Sequence, residues 1–170
     1  MDELPAPAVV VLVGAAGSGK TTLRGRLVAG GLDPGTVISL DDLRCEARAL
    51  DAKAGRPVRP LQDYSFSAVR RAARRCDALL AFGAGYLSDA TQLRRRERVP
   101  HVRAAAEAGL PSVALLLPAL SLDELLARDA ARPPDEHVPA DVLARHAHRR
   151  SLLRPGLLRD EGFDVVREVP

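Results

Sequence analysis

Residues 14–21 read Gly14-Ala15-Ala16-Gly17-Ser18-Gly19-Lys20-Thr21 and match the P-loop pattern G-x-x-x-x-G-K-[ST] at every specified position. The flanks fit the motif. Ala8-Val9-Val10-Val11-Leu12-Val13 is a short, apolar, β-branched run, and Thr22-Leu23-Arg24-Gly25-Arg26-Leu27-Val28 reads as a helix. A strand, a glycine-rich turn and a helix form a cradle in which backbone N–H groups and the positive end of a helix face an anion. The expected ligand is a nucleoside triphosphate, ATP, with Mg2+. Its candidate binding residues are Gly14, Ala15, Ala16, Gly17, Ser18, Gly19, Lys20, Thr21 and Thr22. Lys20 reaches the β- and γ-phosphates, and the Thr21 hydroxyl faces Mg2+. Of 25 Lys and Arg residues only Lys20 and Lys53 are lysine, so lysine was kept where a compact point charge serves best.

Outward from the loop, short apolar runs alternate with helical patterns, the signature of α/β architecture on a parallel sheet. Strands are predicted at 8–13, 36–40, 85–88, 112–117 and 164–168. Helices are predicted at 20–29, 42–53, 65–81, 92–108, 121–131 and 139–153. The expected fold is one domain over residues 1–170, a five-stranded sheet of order 2-3-1-4-5 flanked by helices. Length and the 46% hydrophobic composition support a full core. Aromatic residues make up only 3%, so Leu, Val and Ala must fill it. Cys45 and Cys76 lack metal-type spacing and read as small buried side chains in a reducing compartment. The acidic start Met1-Asp2-Glu3 and the absence of a long apolar run imply a cytoplasmic chain without a membrane partner. A net charge of +3 permits an anionic substrate. The clusters Arg70, Arg71, Arg74, Arg75 and Arg94, Arg95, Arg96, Arg98 read first as solvated helix faces.

Three further stretches carry chemistry. Ser39-Leu40-Asp41-Asp42-Leu43-Arg44 follows the second strand, at the carboxyl edge where open α/β sheets bind ligands. There a carboxylate can accept a proton from a hydroxyl, and an Arg three residues on can hold a phosphate. The same pattern also suits a helix N-cap followed by a surface Arg, and Asp42 stays open as the base beside Asp41. Asp89, ending Gly85-Tyr86-Leu87-Ser88-Asp89, suits a carboxylate that orders Mg2+ through water. Arg128 and Arg132 lie four apart, before Pro133-Pro134, and suit a lid over about 128–140 that closes on phosphates. His101, His137, His146 and His148 lack an acidic cluster and read as incidental.

These residues together resemble the P-loop kinases that phosphorylate hydroxyls, and most of all the 5'-kinase module of bacterial polynucleotide kinase–phosphatases. The features are the loop at 14–21, Ile38-Ser39-Leu40-Asp41 with Arg44, Asp89-Ala90-Thr91, Arg98, Arg128, Arg132 and Glu161-Gly162-Phe163. The resemblance implies ATP-dependent phosphoryl transfer to the 5'-hydroxyl of DNA or RNA. Asp41 would be the base, and Arg44, with Asp89 and Arg98, would meet the acceptor. Lys20, Arg128 and Arg132 would act on the phosphates. The chain departs from that family at Gln92, where Asn is usual, and at Pro133-Pro134-Asp135, where a third lid Arg is frequent. Two other readings compete: a kinase for a small-molecule hydroxyl such as a sugar, antibiotic or nucleotide-sugar, and a nucleotide-binding switch without an acceptor. Few aromatics are available for base stacking; Tyr64, Phe66 and Tyr86 are the candidates.

Overall fold

A computed structural model describes residues 4–133 and 136–169; Pro134 and Asp135 of the expected lid lie outside the described residues. Five parallel strands, β1 (Val9–Val13), β2 (Val37–Ser39), β3 (Tyr86–Asp89), β4 (Ser112–Leu116) and β5 (Val165–Glu168), form one sheet in the expected order β2-β3-β1-β4-β5. β1 lies at its centre, in register with β3 through Val9↔Tyr86 and with β4 through Val9↔Ser112. Its sequence VVVLV is buried throughout, as a strand covered on both faces must be.

Alternation along β1 sorts its side chains between the two layers. Val9, Val11 and Val13 join Ile38, and they pack with Leu43 of α2 (Leu40–Lys53), Ala68 and Cys76 of α3 (Ser65–Ala81) and Ala105 of α4 (Arg95–Glu107). Val10 and Leu12 face the other way, onto Leu23 and Leu27 of α1 (Lys20–Ala29). A third, smaller cluster lies beside the P-loop. There Ala15 packs on Leu125 of α5 (Leu122–Ala130) and Leu143 of α6 (Ala140–Leu152). Among the described residues no helix is long and apolar enough to cross a membrane.

Several boundaries differ from the sequence reading, each for a local reason. α2 starts at Leu40, two residues early, because the Ser39 hydroxyl caps it by accepting the Asp42 N–H. α4 starts late, at Arg95, because Gln92 takes a positive φ of 48° that no helix accommodates. A short helix, α7 (Pro155–Asp160), was not predicted; six residues are too few for a readable period. Cys76 is buried as expected, but Cys45 is exposed. Arg71 and Arg75 hold Glu46 of α2 at 2.9 and 2.8 Å, so that cluster is a paired, largely solvated face.

The β3–α4 loop is held by an unexpected set of buried groups. Arg98, 1% exposed, forms a two-pronged pair with Glu161 at 2.7 and 2.5 Å and donates to the Gln92 carbonyl at 2.8 Å. The Gln92 amide donates to Ser88 Oγ and to His101 Nε2, both at 3.1 Å, and His101 Nδ1 meets the Tyr86 hydroxyl at 2.8 Å. Arg98 is therefore neither a solvated residue nor a substrate contact: its guanidinium is committed inside the fold. Burial holds the His101 imidazole down at about 4, so it is neutral at physiological pH.

Two outcomes follow for stability. Arg98→Ala strands the Glu161 charge and should cost on the order of 3–5 kcal/mol in urea unfolding. The double change Arg98→Met with Glu161→Leu should recover most of that loss, since an apolar pair replaces the ion pair. The second outcome concerns pH. The unfolded chain protonates His101 below about 6.5 while the folded chain resists to about 4. Stability should therefore fall as pH drops through that window, and His101→Asn should flatten the fall in unfolding curves at pH 7, 6 and 5.

Candidate nucleotide and phosphoryl-transfer site

The carboxyl ends of β1, β2 and β3 bring three of the predicted stretches to one edge. β1 runs into the P-loop, Ser39 of β2 pairs with Asp89 of β3, and Asp41 lies in the first turn of α2 just beyond. The loop closes because Gly17 and Gly19 adopt φ of 80° and 99°, values that side-chain-bearing residues rarely take. Gly14 has its own constraint: a Cβ there would meet Ser18 Oγ at 2.6 Å and Leu117 Cβ at 2.9 Å. The Gly14 N–H bonds the Thr91 carbonyl at 3.0 Å and so ties the loop to the segment after Asp89.

The site's donor set fits a polyphosphate with Mg2+. No side chain caps the start of α1 and no acid lies in its first turn, so its N–H groups and dipole face outward uncompensated. Nothing lies within 4 Å of where a Cβ at Gly19 would project. Thr21 and Thr22 present exposed hydroxyls in that same turn. Lys20 folds its ammonium onto the Gly14 and Ala15 carbonyls at 3.2 and 2.7 Å. Desolvation there lowers it to about 8, against the upward pull of Asp89 and Asp41 and with a downward push from Arg132. Lys20, Asp89, Asp41 and Arg132 thus share one electrostatic neighbourhood. Arg128 touches the loop itself and donates to the Gly17 carbonyl at 3.1 Å.

Arg24 sorts the carboxylates, and sequence reasoning missed it. It lies one turn past Lys20 on α1 and grips Asp42 at 2.8 Å and Asp89 at 3.1 Å. Its spacing of four from Lys20 was the legible signal. Burial raises the Asp89 carboxyl, while Lys20 and Arg24 oppose the rise. Asp42 is therefore engaged. Asp41 remains 89% exposed, and among the described residues its ion pair is with Arg44, three residues along the same helix. Arg44 is steadied from behind by the Ser65 hydroxyl at 3.2 Å.

Other expectations fare differently. Arg98 is not brought to the site, for the reason given above. Tyr64 and Tyr86 are 3% and 2% exposed and cannot stack a base; Phe66, 75% exposed, can. His146, read as incidental, sits on the P-loop, where its Nδ1 accepts the Ala16 N–H at 3.4 Å. The segment after α5 is tethered by Asp129, a buried residue whose carboxylate accepts the Val138 N–H at 3.2 Å.

Comparison with known proteins agrees with this architecture. The fold resembles a gluconokinase from Sinorhizobium meliloti 1021 over 96% of this chain and 83% of that one, with TM-score 0.55 and 22% identity. The AvrRxo1-ORF1:-ORF2 structure with ATP matches over 82% of this chain and 46% of that one, with TM-score 0.61 and 17% identity. A structure of the PezAT toxin–antitoxin system of Streptococcus pneumoniae matches over 98% and 68%, with TM-score 0.53 and 18% identity. No curated protein matches the chain in sequence. The AAA domain family model matches residues 9–153, which takes in the P-loop, Asp41, Asp89 and both arginines of α5 and its end, and the chain belongs to that family.

Proposed function

We propose that the chain is an ATP-dependent kinase that transfers the γ-phosphoryl group to a hydroxyl, and that its acceptor is the 5'-hydroxyl end of DNA or RNA. The observation that carries this reading is the sorting of carboxylates by Arg24. It occupies Asp42 and Asp89 and leaves Asp41 exposed at the edge where Lys20 lies. A switch that only bound nucleotide would need no carboxylate so exposed, held by a neighbouring arginine alone, at that edge.

In this reading Gly17, Gly19 and the first turn of α1 hold the polyphosphate, and Lys20 leaves its carbonyls to pair with it. Thr21, and Asp89 through water, would hold Mg2+, which neutralises developing charge on the phosphates. Asp41 orients the acceptor hydroxyl and takes its proton. Arg44, steadied by Ser65, holds a phosphate that neighbours that hydroxyl, as it does at a polynucleotide end. Arg128 and Arg132 add positive charge where the transferred group passes and form part of a lid over 128–140. The whole chain, 1–170, then acts as one kinase domain. A small-molecule acceptor is the second reading. Its support is the shared fold of the gluconokinase over nearly all of this chain.

Transfer of labelled γ-phosphate from ATP·Mg2+ to a 5'-hydroxyl oligonucleotide tests the proposal. Lys20→Ala and Asp41→Ala should each lower turnover by roughly a hundredfold or more, whereas Asp42→Ala should keep most of it. Arg44→Ala should act mainly on acceptor KM, and oligonucleotide binding should weaken steeply with salt. An active Asp41→Ala beside a dead Asp42→Ala would reverse the base assignment. Label passing to a sugar but never to an oligonucleotide would establish the second reading.

A further inference from the structure

His146 is a titratable side chain in contact with the P-loop backbone that the proposed chemistry leaves unused. α6 packs on α5, and Leu125, Leu143 and Ala147 of the two helices meet Ala15 and Ala16 of the loop. That packing seats the imidazole on the Ala16 N–H. At 3.4 Å the bond is long for N–H donation, so a charged oxygen can replace the ring at little cost. Ala16 lies within the turn whose N–H groups would face phosphate.

The surroundings are strongly one-signed. Lys20 of α1, Arg94 at the start of α4, and Arg145 and Arg149 of α6 all act on the ring. On α5, Arg128 lies on the adjoining Gly17 carbonyl. Of the acids on these helices, Asp129 accepts the Val138 N–H, Asp141 pairs with Arg145 at 2.6 Å, Glu97 accepts the Arg94 N–H and Glu124 the Ser121 N–H. Asp123 and Glu107 complete the set, and the charges that act on the ring are all cations. Burial first, then these cations, hold the imidazole down at about 4. Another permanent cation here would confront the Ala16 N–H with positive charge, whereas a neutral imidazole accepts it. A polyphosphate would reverse the local field and favour the protonated ring.

We propose that His146 is a phosphate-contacting residue of the nucleotide site: it yields the Ala16 N–H to a phosphate oxygen, takes one proton from solvent on the freed Nδ1, and pairs with the phosphates as an imidazolium. This rests on the nucleotide-binding reading above. It adds proton uptake as a consequence of binding that the P-loop alone does not require.

Calorimetric titration with the nonhydrolysable β,γ-imido analogue of ATP and Mg2+ tests it. Titrations at pH 6.5 in two buffers of different ionisation heat give protons taken up per nucleotide. The ligand's own protonation is common to all proteins compared, so the difference between proteins reports the ring. The unmodified chain should take up several tenths of a proton more than His146→Asn. Its affinity should also gain several-fold over the variant's between pH 8 and pH 6. If His146→Asn does not fold, judged by thermal melting, His146→Gln gives the same comparison. Equal uptake and parallel affinity–pH curves would overturn the proposal. Absence of binding by the unmodified chain would instead remove the nucleotide reading itself, and this inference with it.

Discussion

The P-loop turn depends on two residues held at positive φ. Gly17 and Gly19 let the chain leave β1 and enter α1 without a side chain over the first helical turn. Everything else in the site is arranged around the electropositive hollow this makes. Burial costs Lys20 part of its basicity even though its ammonium donates to two loop carbonyls, which prepares an ammonium that gains by meeting an anion. The Gly14–Thr91 bond then couples that hollow to the loop carrying Asp89. This loop is in turn fixed from the far side by Arg98 and Glu161, residues 63 apart in sequence.

The second organising feature is the assignment of charges to partners. Three carboxylates crowd one sheet edge, and left alone they would repel one another and a polyphosphate alike. Arg24 neutralises two of them, and Arg44 stays with the third as its helical neighbour. A site built this way leaves Asp41 as its most exposed carboxylate, beside cationic groups of α1, α5 and α6. That separation is what phosphoryl transfer asks of a protein, because catalysis there is placement and charge stabilisation more than covalent chemistry.

Much of the fold was legible because parallel strands buried on both faces leave continuous apolar runs, as in VVVLV, and the loop's glycines mark the turn directly. The strand positions and the P-loop follow from that pattern. The strand order, expected as 2-3-1-4-5, is not fixed by it and is found in the sheet, and it is the sheet that brings the ends of β2 and β3, with Asp41 and Asp89, together. What escaped depends on partners distant in sequence. Arg98 looks like part of a surface cluster until Glu161 is seen beside it. His101 and His146 look idle until β3 and the P-loop are seen against them. Gln92 gives no warning of its positive φ, and α7 is too short to show a period. Arg24 alone among the missed residues carried a usable signal, its place one turn beyond Lys20.

The central claim is that the loop at 14–21 and the first turn of α1 form a phosphate cradle. Amide chemical shifts in the 15N-labelled chain, recorded while ATP and Mg2+ are added, test it directly. The account predicts saturable shifts that are largest at Gly17 through Thr21 and are abolished by Lys20→Ala. Shifts centred on another part of the surface, or none at millimolar nucleotide, would contradict it.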